Sequence, residues 1–390
     1  MRLAFCLPKN YRATERWPLL IFLHGGATSV DEPYLNLTKR NDPEWPNLPE
    51  ILADYRIVTV LPSALPKKTF DPWSSPETER YLADVVLECS TLFNVDPDRV
   101  FLAGFSMGGI GAYHIAQVYP DRFAGIMAIA GSWMIGNWAN LTGTPFWIVH
   151  GRRDAVYKVR GRFTDVAFAR LCDRQLTAQG VAHRYLEHDQ LLLHGSGHGI
   201  YVPALREFLA WAEKARRDKH PQCIFLSTPA GNTRRRLTPV HSRFWISVDA
   251  VSTGDIPAHY CDGDPKSAPF RGGHQPGDFN FSEAEWNRFC LTNSVIQLPG
   301  AQIEAVFTNN AFTVITRNVR AFTVWLDEAM VDFRQPVTVT WNGQSVFRDI
   351  VRPSPVVMRE SLELRRDPGL SYPAKIAITE AQVLPGRTDR

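Results

Sequence analysis

Short runs of consecutive apolar residues alternate with stretches of helical spacing through the first half of the chain. Residues 100–103 form one such run, and residues 110–118 follow it with apolar side chains three or four positions apart. A short apolar run is typical of a buried strand, and the longer spacing is typical of an amphipathic helix. The alternation predicts βαβ units, and therefore an α/β domain over residues 1–218. The other runs that support this prediction cover residues 19–23, 145–151 and 182–187, with a closing helix at 202–212.

The pattern changes near residues 216–221, and helical spacing becomes rare beyond them. Short alternating or β-rich runs follow one another, with Asn-Asn at 309–310 and Asn-Gly at 342–343 between them. Such dipeptides favour tight hairpin turns. Residues 222–390 are therefore predicted to form a second, all-β domain of the sandwich type. The predicted strands cover residues 244–248, 302–307, 311–315, 321–326, 337–341, 345–347 and 375–378.

Two stretches of this second half do not fit the strand pattern. Residues 258–278 are rich in Gly, Pro and His and are expected to form a long loop. Ser282, with Glu285 three residues later, is a helix-start signal. Three tryptophans lie within the predicted strands and are expected to belong to the core: Trp245, Trp325 and Trp341.

The sequence GFSMG at residues 104–108 joins a predicted strand to a predicted helix. This G-x-S-x-G pattern is the nucleophile elbow, in which a serine occupies a tight strand-to-helix turn. The turn needs small neighbours because strand and helix converge there. Ser106 is therefore the candidate nucleophile. The alternative is a glycine-rich turn with an idle serine.

A nucleophilic serine needs a base and an acid that orients the base. In this architecture the chain order is serine, acid, histidine. Asp154 follows the apolar run 145–151, and catalytic groups gather at the carboxyl ends of strands in open α/β sheets. Asp154 is therefore the predicted acid. A solvated turn aspartate is the alternative, and Asp173 and Asp189 are rivals for the role.

Two histidines, His194 and His198, lie on the loop between the last predicted strand of this half and the closing helix. His198 is flanked by Gly197 and Gly199, which let the loop present the imidazole without steric cost. His198 also lies nearer the helix, so it is the predicted base and His194 is its rival. The alternative for either is a loop histidine bonded to backbone. Structural roles are expected for the histidines in or beside predicted strands: His24, His150, His183 and His188.

An acyl-transfer site also needs hydrogen-bond donors for the negative oxygen of its tetrahedral intermediate. One donor is expected to be the backbone N–H of Met107, the residue after the nucleophile. The other is expected on the glycine-rich turn after the strand at 19–23. The N–H of Gly26 is the prediction there, with Ala27 as the neighbouring alternative.

Together these segments resemble the α/β-hydrolase superfamily, and within it the esterase and depolymerase branch of prolyl-oligopeptidase-like, feruloyl-esterase-like and polyhydroxybutyrate-depolymerase-like proteins. The resemblance covers roughly residues 1–215. It implies a doubly wound, mostly parallel sheet and a Ser-His-Asp hydrolase of carboxylic esters. The second half resembles the immunoglobulin-like sandwich appended to some bacterial esterases. The matching stretches are LHGG at 23–26, VDPDRV at 95–100, GFSMGG at 104–109, HGRRD at 150–154 and GH at 197–198.

The interval from residue 130 to 144 is too short to hold the helical cap that many lipases insert near this position. An open site is therefore expected, suited to short-chain, aryl (feruloyl-type) or polyester substrates. Trp73, Trp133 and Tyr157 are the candidate lining residues, with packing in the interior as the alternative for each. Two other functions stay open: a serine peptidase of the same superfamily, and a non-catalytic binding protein on a hydrolase scaffold.

Composition narrows the remaining classes. The 390 residues carry a formal net charge of +3, too small to argue for nucleic acid or an anionic membrane as partner. No apolar stretch is long enough to span a bilayer, and the N-terminus lacks a signal-peptide pattern. A cytoplasmic protein is expected, or a secreted or periplasmic one if the N-terminus was trimmed. No spacing resembles a metal site or a cofactor motif. The six cysteines are scattered, so free buried thiols are the default expectation, and Cys261 with Cys290 is the best candidate for a disulfide.

Overall fold

The computed structural model describes residues 2–26, 46–65, 72–133, 135–154, 166–192, 197–230, 239–260 and 294–382. The chain divides into two compact units. The first comprises Met1–Arg217 and His259–Ile296, and the second comprises Asp218–Ala258 and Gln297–Arg390. The sequence analysis predicts a single domain boundary, between residues 218 and 222. In the structure, the chain leaves the first unit after Arg217, returns to it at His259 and leaves it again after Ile296.

Seven strands form the central sheet of the first unit: β1 (Leu3–Cys6), β2 (Trp17–Leu23), β3 (Val58–Pro62), β4 (Val95–Phe105), β5 (Gly125–Ile129), β7 (Phe146–Gly151) and β8 (His183–His188). Their order is β1-β3-β2-β4-β5-β7-β8. Only β1 runs antiparallel to its neighbour, and the other pairs are parallel. A two-residue strand, β6 (Ile135–Gly136), pairs with His259 and Tyr260 at the edge of this unit. The predicted strands of this half lie within or overlap β2, β4, β7 and β8.

The described helices of the first unit are α1 (Leu48–Ala53), α2 (Pro76–Phe93), α3 (Met107–Val118), α4 (Val166–Ala178) and α5 (Val202–Ala212). Helix α2 has well-defined ends. The Ser75 side chain accepts a hydrogen bond from the Thr78 N–H, and Asn94 closes the helix in the left-handed conformation with φ of 49°. Both are preferred capping arrangements, since they satisfy backbone groups that the helix itself leaves unpaired.

The core of the first unit follows from the parallel sheet. All seven residues of β2 are buried, because strands of a parallel sheet are covered on both faces. On one face, Leu20, Phe22 and Phe101 pack in the same cluster as Leu205 and Phe208 of α5. Burying a side chain of this size contributes about 2 kcal/mol each relative to exposure. The packed sheet is rigid, and the loops that follow the carboxyl ends of its strands are where open α/β sheets carry functional polar groups. Among the described residues, no helix is long and apolar enough to cross a bilayer.

The second unit contains, wholly or in part, strands β9 (Cys223–Pro229), β10 (Ser242–Arg243), β11 (Ile246–Val251), β12 (Asp255–Tyr260), β13 (Ser294–Thr308), β14 (Ala311–Arg317), β15 (Val319–Leu326), β16 (Val337–Trp341), β17 (Gln344–Asp349) and β18 (Ala374–Thr379). One sheet has the order β10-β11-β15-β18, and another contains β17-β16-β14-β13 with β9 paired to β13. The expected hairpin turns are present, with positive φ at Asn309, Asn342 and Gly343. The three strand tryptophans are buried in one core cluster, as expected: Trp245, Trp325 and Trp341.

The second unit differs from the all-β prediction in one element. Residues Pro355–Arg365 form a helix, α6, whose Ser354 cap accepts a hydrogen bond from the Val356 N–H. Its fully buried residues, Ser361 and Arg365, are polar, and most of its apolar side chains are exposed, so the hydrophobic pattern did not mark its buried face. The predicted loop at 258–278 is also corrected at its start, because residues up to Tyr260 belong to β12. The predicted helix start at Ser282 and the candidate pair Cys261 and Cys290 lie outside the described residues.

Candidate active site

Ser106 occupies the turn between β4 and α3. Its backbone has φ of 55° and ψ of −116°, an unusual conformation for a residue with a side chain. The Ser106 N–H donates to the Ile129 carbonyl at 2.8 Å, which ties this turn to β5. Surrounding hydrogen bonds and packing must compensate the strain, and strain of this kind is concentrated at functional sites.

Two glycines make this turn possible by close backbone approach. A Cβ on Gly104 would lie 2.0 Å from the carbonyl oxygen of Gly108. A Cβ on Gly108 would lie 2.1 Å from the carbonyl oxygen of Leu23. No side chain fits at either distance, so the G-x-S-x-G spacing is a steric requirement of the strand-to-helix turn.

The structure brings Ser106, His198 and Asp154 into one hydrogen-bonded chain. The Nε2 atom of His198 lies 2.9 Å from the Oγ atom of Ser106. Its Nδ1 atom lies 2.8 Å from Oδ2 of Asp154. All three side chains are buried, and Ser106 retains 6% of its surface exposed. The imidazole therefore connects the hydroxyl to the carboxylate across 92 and 44 residues of sequence.

The charge on Asp154 determines how the imidazole is protonated. Burial raises the pKa of Asp154, but the nearby charge of His198 and hydrogen bonds from His150 and His198 outweigh it and lower the pKa below its ordinary value. An ionised carboxylate only accepts hydrogen bonds, so Nδ1 of His198 carries a proton. In the neutral form of the ring, the lone pair is then at Nε2, directed at the Ser106 hydroxyl. This is the tautomer that a general base requires.

These residues meet because their loops leave the same edge of the sheet. Ser106 follows β4, Asp154 follows β7, and His198 lies beyond β8 on the way to α5. The last two loops approach so closely that a Cβ on Gly151 would lie 2.1 Å from the Gly197 carbonyl oxygen. Parallel strands end together at this edge, which is where open α/β sheets build sites.

The predicted oxyanion donors are Met107, the residue after Ser106, and Gly26, whose neighbour Gly25 lies close to Ser106. Met107 is the first residue of α3, and the first N–H groups of a helix have no partner within it. On the other side, the Cβ position of Gly25 lies 3.2 Å from the Ser106 Cβ. The glycine turn therefore runs beside the nucleophile. Ala27 lies outside the described residues.

His24 sets the orientation of that glycine turn. The Ala64 N–H donates to Nε2 of His24 at 3.1 Å, so the ring proton is on Nδ1, which donates to the Gly25 carbonyl at 2.8 Å. Burial lowers the pKa of His24, in keeping with a neutral ring. The carbonyl and N–H of a trans peptide point in opposite directions. Because the Gly25 carbonyl faces the imidazole, the N–H of Gly26 points away from it.

Trp73 and Trp133, two of the predicted lining residues, have no more than 1% of their surface exposed. The Trp73 indole N–H donates to the His24 carbonyl at 3.1 Å, and a Cβ on Gly111 would lie 2.4 Å from the Trp73 Cβ. The Trp133 ring lies 5.4 Å from that of His114. Both are packing residues of the first unit rather than walls of an open cleft. Tyr157 and the rival base His194 lie outside the described residues.

One further contact was not expected from the sequence. The Nε2 atom of His150 lies 3.1 Å from Oδ2 of Asp154, the same oxygen that faces His198. The only signal was the spacing of four residues at the end of β7. The rival acids are engaged elsewhere: Asp173 contacts His183 at 3.0 Å, and the exposed Asp189 pairs with Arg152 at 3.2 Å.

No group of three or more His, Cys, Asp or Glu side chains is placed to hold a metal ion in the part of the chain that the structure describes. The described part of the site is built from side chains and backbone groups of the first unit. It comprises a serine in a strained turn, a histidine and a carboxylate in line with it, and backbone N–H groups beside the serine.

Comparison with known proteins associates the first unit with esterases. Residues 1–166, which include Ser106 and Asp154, match the Esterase family model, described as "Putative esterase". The chain is 29% identical over 141 residues to the bifunctional acetylxylan esterase/xylanase XynS20E of Neocallimastix patriciarum, covering 36% of this chain and 19% of that protein. It is 40% identical over 120 residues to "Putative esterase NocK" of Nocardia uniformis subsp. tsuyamanensis, covering 30% and 33%.

The chain thus spans about a fifth and a third of the length of these two relatives. Among solved structures, that of a thermostable esterase aligns with a TM-score of 0.43 at 20% identity, over 55% of this chain and 59% of the other. The family match concerns the segment that carries Ser106 and Asp154.

Proposed function

We propose that this chain is a carboxylic-ester hydrolase that acts through a covalent acyl-enzyme on Ser106. The observation that carries the proposal is the position of His198, 2.9 Å from the serine oxygen and 2.8 Å from the Asp154 carboxylate. The match of residues 1–166 to an esterase family supports it independently. A nucleophile, a base and an orienting acid in this order are the components of acyl transfer.

In the first step, the Ser106 oxygen attacks the ester carbonyl carbon while Nε2 of His198 takes its proton. The imidazolium that forms is stabilised by the Asp154 carboxylate, which stays ionised. The N–H groups of Met107 and Gly26, or of Ala27, donate to the negative carbonyl oxygen. In donor-deletion experiments on other hydrolases, one such donor is worth roughly 3 kcal/mol of transition-state stabilisation.

His198 then protonates the departing alcohol, and the acyl group remains bonded to Ser106. In the second step, the same nitrogen takes a proton from water, which attacks the acyl carbon and releases the acid. The proton finally returns to the serine oxygen. Each transfer uses one imidazole nitrogen that already lies within hydrogen-bond reach, so the scheme requires no cofactor.

For the substrate we propose short acyl and aryl esters, with acetyl esters ranked first. The support is the named activity of the acetylxylan esterase relative and the short interval between β5 and β7. A panel of p-nitrophenyl acetate, acetylated xylan, methyl ferulate and a polyhydroxybutyrate film tests the ranking. Higher kcat/KM for methyl ferulate than for the acetyl esters, or faster hydrolysis of the film than of acetylated xylan, would contradict the ranking. A p-nitroanilide in the same panel tests for the peptidase alternative.

Replacing the nucleophile tests the proposal directly. Ser106→Ala should lower kcat/KM for p-nitrophenyl acetate by about 10³-fold or more, because no covalent intermediate can form. Ser90→Ala is the matched control, since the Ser90 hydroxyl only donates to a carbonyl within α2. Parental activity in a folded Ser106→Ala protein would reject the mechanism. Absence of activity in the parent on every ester would favour the binding-protein alternative.

A further inference from the structure

The Asp154 carboxylate faces two imidazoles, and the proposed mechanism uses only one of them. Oδ2 of Asp154 lies 2.8 Å from Nδ1 of His198 and 3.1 Å from Nε2 of His150. We propose that His150 is a positioning residue that holds this carboxylate in line with His198. The inference rests on the proposed function, because the alignment matters only if His198 is the base.

The protonation of His150 follows from the same reasoning as that of His198. The lowered pKa of Asp154 keeps the carboxylate ionised at neutral pH, and an ionised carboxylate only accepts. Nε2 of His150 therefore carries a proton and donates a hydrogen bond to Oδ2 of Asp154. Two donors on one oxygen fix its direction more firmly than one, and charge-assisted bonds of this kind are the stronger class.

His150 is well placed to act as a fixed reference. It lies in β7, which is hydrogen-bonded to β5 on one side and to β8 on the other, and its side chain is fully buried. Asp154 lies beyond the end of that strand, where its N–H donates to the Gly151 carbonyl at 3.0 Å. A carboxylate on such a turn can rotate about two side-chain bonds. The contact with His150 connects it to the rigid sheet.

A second His–Asp contact in the same unit provides a matched control. Nε2 of His183 lies 3.0 Å from Oδ1 of Asp173, almost the same distance as in the His150–Asp154 contact. It joins the start of β8 to α4 and involves neither Ser106 nor His198. Replacing His183 removes a contact of the same chemistry without touching the proposed site.

The test compares His150→Phe, which keeps a ring of similar size without a donor, with His150→Gln, which keeps an N–H at similar reach. His150→Phe should lower kcat for p-nitrophenyl acetate by about 10- to 100-fold, because small misplacement of a reacting group has effects of this size. KM should change by less than about twofold, since no substrate contact is lost. His150→Gln should recover most of kcat, and His183→Phe should keep the parental value.

Two results would overturn the proposal: a folded His150→Phe protein with parental kcat, or a His150→Gln protein no better than His150→Phe. If His150→Phe does not fold, ¹⁵N-histidine NMR of the parent decides the matter. Protonated Nε2 on His150 supports the proposal, and unprotonated Nε2 rejects it. The Ser106→Ala variant distinguishes failure of the proposed function from failure of the proposed role of His150. If that variant keeps activity, the proposed function fails, whereas the NMR result for His150 still stands by itself.

Discussion

Two buried carboxylates in the described part of the first unit face imidazoles, Asp154 and Glu79, and only the contacts of Asp154 lead on to a serine hydroxyl. His198 contacts Asp154 at 2.8 Å, and His114 contacts Glu79 at the same distance. All four side chains are less than a tenth exposed. The two pairs are alike in distance, in burial and in joining an imidazole to a carboxylate.

They differ in what holds them. His114 and Glu79 lie on the buried faces of α3 and α2. The Tyr119 hydroxyl donates to the Glu79 carbonyl, and the Trp133 ring packs against His114. His198 and Asp154 lie on loops at the edge of the sheet, and the second nitrogen of His198 reaches Ser106.

A buried His–carboxylate pair therefore does not by itself indicate catalysis. Between helices, such a pair joins two elements and contributes to stability. At the edge of the sheet, a strained turn presents a hydroxyl to the same kind of pair, and in the proposed mechanism that pair transfers the proton of the hydroxyl. The location of the nucleophile, rather than the pair, separates the two roles.

The largest expected difference between the pairs is in catalysis. Asp154→Asn should lower kcat for p-nitrophenyl acetate by about 10⁴-fold, because an amide no longer holds His198 in the tautomer with its lone pair towards Ser106. Glu79→Gln should leave kcat per folded molecule within about twofold. The measurement is steady-state kinetics on protein whose folded fraction is checked by circular dichroism. Equal losses of kcat in the two variants would show that the two pairs do not differ in their role in catalysis.

The reverse difference is expected in stability. Glu79→Leu removes the partner of His114 and leaves a buried imidazole with its acceptor lost, which should lower the free energy of unfolding by about 3 kcal/mol. Glu79→Gln keeps an acceptor oxygen and should lose less than half of that. Urea unfolding followed by fluorescence measures both. An unchanged midpoint for Glu79→Leu would show that this pair contributes nothing to the fold.

The sequence pointed to the candidate site residues themselves more clearly than to the residues that hold them in place. The glycine spacing around Ser106 and the apolar runs before Asp154 are local signals, because sterics and periodicity act over a few residues. The order serine, acid, histidine then restricted the candidates. The structure brings His198 to the serine, although nothing local distinguishes it from His194 beyond flanking glycines.

The supports depend on contacts between distant segments, which no local pattern encodes. His24 binds the backbone of Ala64, 40 residues away, and Glu79 meets His114 across 35. Trp73 was predicted to line the site because it is aromatic. In the structure it packs against Gly111 and donates to the His24 carbonyl. Helix α6 went unpredicted because its buried residues are polar.

A third carboxylate of the first unit, Glu187, is paired with arginine instead of histidine, and replacing it should have a smaller effect. Glu187 accepts two hydrogen bonds from Arg170, at 2.7 and 2.9 Å, and one from the Tyr185 hydroxyl. The Arg170 contact is the largest influence, and despite partial burial it lowers the pKa of Glu187 to about 2. A lowered carboxyl pKa stabilises the fold above the ordinary value near 4.5, and this contribution is lost as the pH falls towards 2.

Glu187→Gln should therefore lower the free energy of unfolding by about 1 kcal/mol at pH 7, a figure reduced for solvent screening of a partly exposed pair. The difference from the parent should shrink steadily below the ordinary pKa of the carboxyl, because the parent then gains the proton that the amide mimics. Urea unfolding at a series of pH values measures it. A difference that stays constant down to pH 3 would mean that packing of the side chain, not its charge, stabilises this edge. Activity per folded molecule should not change, since Glu187 contacts neither Ser106 nor its partners in the described structure.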